Sequence, residues 1–277
     1  MSQQKKTILI TGCSTGIGFC AAKILHERGY QVFASVKQLK DKPLLESLGI
    51  TCVHLDLSQQ NSIEQGLTEV LNITGGRLDY LFNNGAYGQP GAIEDLPTEI
   101  LREQFEANFF GWHHLTRLVL KVMREQGYGR IVQNSSVLGF ICMPYRGAYN
   151  ASKYALEGLT DTLRLELKDT PIKISILEPG PIRSAFRKNG AFKFKSNIDW
   201  QSSIHYENYL QQLARLEDTE KVHRFCLEPE AVVTSLIHAL ESDRPKVRYR
   251  ITFPTHLFNV LKRIIPAKWL DSILAKG

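Results

Sequence analysis

Residues 11–18 read TGCSTGIG, three glycines in the spacing G-x-x-x-G-x-G. The apolar run TILIT (7–11) leads into the stretch, and a segment of helical period leaves it: Ile17, Ala21, Ile24 and Leu25 share one face and Gly29 is a stop. A glycine-rich turn between a strand and a helix is where unpaired amides and the helix dipole favour a pyrophosphate. Gly12 suits the turn, Gly16 a close approach of backbone to ligand, and Gly18 tight helix packing, while Ser14 and Thr15 offer hydroxyls. An ordinary structural turn is the competing reading, and the rest of the chain must decide.

Outward from this turn, strand-length apolar runs alternate with stretches of helical period. QVFASV (31–36), CVHLDL (52–57), LDYLFNN (78–84), GRIVQNSS (129–136) and IKISILEPG (172–180) continue the series. Alternation of this kind predicts right-handed crossovers and an α/β fold, a doubly wound parallel sheet covered by helices on both faces. Neither a repeat nor a Pro/Gly/Ser-rich linker divides the chain, so residues 1–277 are expected to form a single domain. Residues 185–228, rich in Phe, Trp, Tyr and Lys, are long for a connection and read as a substrate loop or an elaborate surface. A helix beginning with Pro229 in its first turn and a strand over VRYRITF (247–253) precede an apolar tail, 255–277.

At 43% hydrophobic and 22% charged residues, the 277-residue composition is that of a globular protein. Five scattered cysteines without a C-x-x-C pair point to free thiols in a reducing compartment. The start MSQQKK lacks the apolar core of a signal peptide, and no apolar run reaches the ~18 residues of a membrane span, so a cytoplasmic location is expected. The net charge of +6 is spread along the chain without a basic arm, which argues against nucleic acid and leaves a phosphate-rich cofactor open.

The second strand ends in Val36 and is followed by Lys37. An NAD site places a carboxylate here for the ribose 2′-hydroxyl, whereas a 2′-phosphate prefers a cation. NADP(H) is therefore the expected cofactor, with Lys37 as its phosphate contact; Lys40 or Lys42 can substitute, and a solvated lysine is the plain alternative. Asp56, at the end of the third strand, is expected to accept from the adenine amino group or to cap a helix.

Tyr149 and Lys153 stand four apart in YNASK, on one face of a helix, and Ser136 lies thirteen residues before Tyr149 at the sheet's carboxyl edge. TGCSTGIG, LDLS, FNNGA, the Asn of FEANFFG, NSS ahead of YNASK, and EPGPI stand in one order over residues 6–185. As a set they resemble the short-chain dehydrogenase/reductase family, in the branch of retinol and 17β-hydroxysteroid dehydrogenases and, nearest, bacterial NADP-dependent aldehyde reductases. The resemblance implies a Rossmann-type fold, a homodimer or homotetramer, and a catalytic set of Asn108, Ser136, Tyr149 and Lys153. It also implies cofactor contacts at Gly12, Ser14, Thr15, Gly16, Ile17, Gly18, Lys37, Asp56, Leu57, Asn84, Gly85, Tyr149, Lys153, Pro179, Gly180, Ile182 and Ser184. A phenol of pKa near ~10 needs help at neutral pH, and the Lys153 ammonium with the positive nicotinamide of the oxidised cofactor would favour phenolate, while Ser136 holds the substrate oxygen.

Asn108 occupies a stripe position between Phe105 and Trp112, where it either satisfies a neighbouring backbone group or bends the helix and holds a water leading to Lys153. The family's N-N-A-G appears here as Asn83-Asn84-Gly85-Ala86, and a positive φ at Ala86 would be strained. The adjacent His113 and His114 point to different helical faces and do not suggest a metal pair, and the three tryptophans read as core. Phe186, Phe192, Phe194, Trp200, Tyr206 and Tyr209 are expected to close an apolar pocket over the nicotinamide, fitting a hydrophobic aldehyde or ketone. The tail can pack beside the substrate entrance, cover a subunit interface or make peripheral contact with a membrane, and Pro266 breaks it. A non-catalytic NADP-binding sensor on the same fold is the rival class; it has no need of all four catalytic residues.

Overall fold

A computed structural model describes residues 5–218 and 224–275. Its centre is one parallel sheet in the order β3-β2-β1-β4-β5-β6-β7. The strands are β1 (Thr7–Ile10), β2 (Gln31–Val36), β3 (Thr51–His54), β4 (Tyr80–Asn83), β5 (Gly129–Asn134), β6 (Ile172–Pro179) and β7 (Arg248–Ile251). The helices are α1 (Gly16–Glu27), α2 (Lys42–Glu46), α3 (Gln60–Thr74), α4 (Thr98–Phe105), α5 (Gly111–Glu125), α6 (Gly147–Glu166), α7 (Phe186–Asn197), α8 (Tyr206–Glu217), α9 (Glu230–Glu241), α10 (Phe253–Ile264) and α11 (Ala267–Leu274).

The period of two along each strand sends side chains to two separate cores. On β1, Ile8 and Ile10 join the layer under α1 and α9, and Leu9 faces the layer under α3 and α5. Burial on both faces explains why the strands read as near-continuous apolar runs. Strand order reverses between β1 and β4, so the crevice at their carboxyl ends is the switch point where such sheets bind ligands.

Three expectations shift. β3 stops at His54, two residues short of Asp56, which sits in the following turn, and β4 starts at Tyr80, after Leu78. The 185–228 segment is mostly helical, as α7 and α8, with residues 219–223 outside the described residues. Trp269 is 65% exposed, whereas Trp112 is fully buried.

Candidate active site

The turn after β1 is held by its neighbours. Gly12 and Gly16 adopt φ of +69° and +59°, and a methyl group on Gly12 would lie 2.5 Å from the Gly85 Cα. Neither Gly85 nor Ala86 has positive φ, so the exchanged Asn-Gly-Ala order carries no backbone strain, and the glycine falls where the two loops touch. Thr11 Oγ1 accepts from the amides of Asn84 (2.8 Å) and Gly85 (2.9 Å). The Asn84 amide donates to the carbonyl of Thr11 at 3.0 Å and accepts from Asn134 Nδ2 at 2.9 Å. The Asn84 side chain thus ties the loops together.

The cradle fits a pyrophosphate. Thr15 precedes α1 in extended conformation, is exposed and makes no side-chain cap bond, which leaves its hydroxyl available at the helix N-terminus. Ser184 adjoins the same turn: a methyl on Gly16 would come within 3.0 Å of its Cβ. Pro179 closes β6, Gly180 donates to the Ile251 carbonyl at 3.0 Å, and Ile182 bridges to Leu227. Residues 179–184 therefore run along the carboxyl edge toward the glycine turn. Leu57 reaches that region too, its Cδ1 lying 2.9 Å from where a methyl on Gly85 would stand.

Lys37 and Asp56 form an ion pair of 3.1 Å at the end of β2, with Lys37 65% exposed. Asp56 Oδ1 also accepts from the Ser58 amide and hydroxyl at 2.9 and 2.7 Å. It therefore locks its own turn, and helix α3 is entered through Gln59. Burial raises the Asp56 pKa and the bonds from Ser58 and Lys37 outweigh it, leaving the carboxyl below its ordinary value.

Ser136, Tyr149 and Lys153 converge at the ends of β5 and α6. Ser136 Oγ accepts from the Leu138 amide at 3.1 Å and is near enough to the Tyr149 phenol to draw its pKa down. Lys153 is 1% exposed, donates to the Asn134 carbonyl at 2.7 Å and lies 4.2 Å over the Trp112 ring and 5.6 Å from the Tyr149 ring centre. Burial pushes the Tyr149 pKa up against a lesser pull from Ser136, and burial lowers Lys153 to about 7, opposed by Glu157. The protein alone keeps the phenol protonated. Removing both groups from water costs the charged forms more than their proximity returns, so phenolate would need the positive nicotinamide beside Lys153.

Asn108 is fully buried in a π-turn, Glu106–Phe110, between α4 and α5. Its amide donates to the Tyr87 carbonyl (2.8 Å) and its Oδ1 accepts from the Tyr87 amide (3.2 Å). Both competing expectations hold in part: the helix is locally deformed, and the side chain is taken up by a backbone partner. Two residues escaped the sequence reading. Trp112 supports Lys153 and donates its indole N–H to the Gly85 carbonyl at 2.8 Å; it looked like one more stripe residue. Glu157, one turn after Lys153, is buried and paired with Arg248 at 3.0 Å. The i, i+4 spacing in YNASKYALEG was the available signal. Arg248 also pairs with Asp161 (2.7 Å) and Glu178 (3.0 Å), so an ionic cluster backs the lysine.

The aromatic residues of 185–228 divide. Phe186 meets the Tyr149 ring edge-on, with centroids 5.3 Å apart. Phe194 and Tyr209 are buried in a satellite core with Ala92, Ile198 and Leu213, and Trp200 packs against this core and stacks on Tyr206. Phe192 is 69% exposed. One aromatic thus reaches the expected pocket, while Phe194, Trp200 and Tyr209 fasten α7 and α8 to each other and to residues 92–96, with Tyr209 also donating to Asp95. His114 is packed against Glu64 at 3.0 Å, and no cluster of potential metal ligands occurs among the described residues.

Residues 6–192 match the family described as short chain dehydrogenase. The "Uncharacterized oxidoreductase YbbO" of Escherichia coli K12 is 41% identical over 270 residues, covering 98% of this chain and 94% of that protein. Retinol dehydrogenase 8 of Bos taurus is 32% identical, over 90% of this chain and 82% of its own length. The NADPH-dependent 3-dehydrocapnine reductase of Ornithobacterium rhinotracheale is 29% identical over 97% and 95%. Among solved structures, a Burkholderia phymatum short-chain dehydrogenase/reductase in complex with NAD superposes with a TM-score of 0.79 at 22% identity, covering 94% and 93%. One from Burkholderia cenocepacia in complex with NADP gives 0.74 at 19%, covering 99% of each chain.

Proposed function

The chain belongs to the short-chain dehydrogenase/reductase family of oxidoreductases, and on that premise we propose that it is an NADP(H)-dependent reductase of hydrophobic aldehydes or ketones. The observation that carries this reading is the convergence of Ser136, Tyr149 and Lys153 at the carboxyl edge, with Phe186 against the Tyr149 ring.

NADPH, when bound, supplies the hydride. The glycine turn, Thr15 and Ser184 would hold its pyrophosphate side, and Lys37 its 2′-phosphate after turning from Asp56; Lys153 would hold the nicotinamide ribose. Ser136 Oγ donates to the carbonyl oxygen of the substrate and fixes it beside the phenol. Tyr149 gives its proton to that oxygen as negative charge develops there, and its raised pKa keeps the donating form in place at neutral pH. Below about 7, where Lys153 is charged, the ammonium stabilises the phenolate left behind. Asn108 acts on this set by shaping the helix and fixing Tyr87. Phe186 supplies apolar wall, which suits a carbonyl on a hydrophobic body. For the homodimer we assign the exposed apolar side chains Leu159 and Leu165 of α6 and Phe110 ahead of α5.

The test is reductive turnover of medium-chain aldehydes, retinal and steroid ketones with NADPH and with NADH. The reading expects turnover of the apolar aldehydes with NADPH at much higher kcat/KM than with NADH. Tight NADPH binding without turnover of any substrate would favour the sensor, and equal use of NADH would remove the role given to Lys37.

A further inference from the structure

The last two helices each carry two apolar stripes. Phe258, Leu261 and Ile265, with Leu270 and Leu274 of α11, pack on Val137, Leu138, Phe140 and Ile141, the turn that follows Ser136. Phe253, Leu257, Val260 and Ile264 stand at steps of four, three and four along α10, and Trp269 and Ile273 stand four apart on α11; all six are exposed. Ile264, at 69%, and Trp269 are among the most exposed apolar side chains of the described residues.

A helix docked on its own domain needs one apolar stripe. The second meets the domain at Phe253, whose ring lies against Phe225 with centroids 5.0 Å apart, and otherwise leaves a run of exposed apolar surface that calls for a partner. The charges around it select which. Helix α10 contains His256, Lys262 and Arg263 and no carboxylate, and α11 contains Lys268 and one, Asp271. Lys262 turns inward to the Phe140 carbonyl and the Tyr154 ring, whereas Arg263 and Lys268 are exposed and make no ion pair among the described residues. A two-fold contact between copies through this face would bring together two surfaces that each carry Arg263 and Lys268 with Asp271 as the one carboxylate of the two helices, an excess of like charge. An anionic bilayer instead supplies counter-charge to both cations and an interfacial site for the indole and the aliphatic side chains. With twelve residues, α10 is about 18 Å long, too short to span the ~30 Å core and suited to lie on it.

We propose that α10 and α11 bind the surface of an anionic membrane through the stripe from Phe253 to Ile273, beside the turn that bears Ser136. Flotation of the full chain with phosphatidylcholine vesicles, with and without phosphatidylglycerol, tests this. The wild type is expected to float with the anionic vesicles and to be released by salt. Leu257→Asp with Ile264→Asp should abolish flotation, and Arg263→Gln with Lys268→Gln should weaken it on the order of 20-fold. Both double variants should retain the far-UV spectrum and the thermal midpoint of the wild type, which separates lost binding from lost fold. A wild type that stays in the soluble fraction with anionic vesicles, or a Leu257→Asp/Ile264→Asp protein that floats as well as wild type, would overturn the proposal. So would a concentration-dependent dimer in sedimentation that the same aspartates dissolve, because the stripe would then belong to a second copy.

Discussion

The floor and the roof of the site are built differently. On the floor, the loops after β1, β4 and β5 are tied to one another by Thr11, Asn84 and Asn134, and Lys153 reaches down between them to the Asn134 carbonyl. The roof, α7 and α8, is fastened through Phe194 and Tyr209 to itself and to residues 92–96, and its Phe186 reaches the Tyr149 ring. On the proposed function, the floor is preorganised for one reaction and the roof sets which carbonyl compound enters. Substitutions on the floor should therefore change rate for every substrate alike, and those on the roof should change the ranking of substrates.

Tyr149→Phe should show the largest effect. Loss of the proton donor is expected to lower kcat by roughly 10²–10⁴-fold on all substrates, with NADPH binding measured by fluorescence titration unchanged. A loss confined to some substrates would erase the distinction between floor and roof. Phe186→Ala should lower kcat/KM about tenfold or more for long apolar aldehydes and little for short ones, because one apolar contact is worth about 1–3 kcal/mol in discrimination. Uniform loss across chain lengths would make Phe186 part of the floor.

Lys37→Ala should raise KM for NADPH on the order of tenfold, leave NADH nearly unchanged and preserve kcat, since one exposed cation is removed from a phosphate. A fall in kcat with both cofactors would contradict the assignment. The smallest effect is expected for Glu157→Gln. The Glu157 carboxylate raises the Lys153 pKa against burial, so its neutralisation lets Lys153 lose its proton at lower pH. An alkaline limb of the kcat/KM profile is expected as Lys153 loses its proton, near 7, and it should move to lower pH by under about one unit. Movement to higher pH, or none, would remove Glu157 from the site's electrostatics.

The same contrast explains what could be read from the residues alone. Strand periodicity, the glycine turn and the spacing of Ser136, Tyr149 and Lys153 report local geometry, and the doubly wound parallel sheet with these residues at its carboxyl edge follows from them. Asn108 was legible as a polar residue in an apolar stripe, though its partner, the Tyr87 backbone, arrives from a loop with no pattern of its own. Trp112 and Glu157 were missed because their work depends on which buried group lies across from them. The roof was misread for a related reason: six aromatics in one segment suggested a pocket, but a segment that leaves the sheet must first build a core for itself, and Phe194 and Tyr209 are spent there. In the tail, Pro266 was read correctly as a break, while the pairing of two apolar stripes emerged only once one of them was seen to be covered.

The central claim is hydride transfer to a carbonyl with the proton supplied by the protein. It is tested most directly by turning over an apolar aldehyde with NADPH deuterated at the transferring position, and separately with unlabelled NADPH in D₂O. The account predicts an alcohol with one carbon-bound deuterium from the labelled cofactor and none from solvent. An alcohol formed without label from the cofactor, or with carbon-bound deuterium from D₂O, would contradict it.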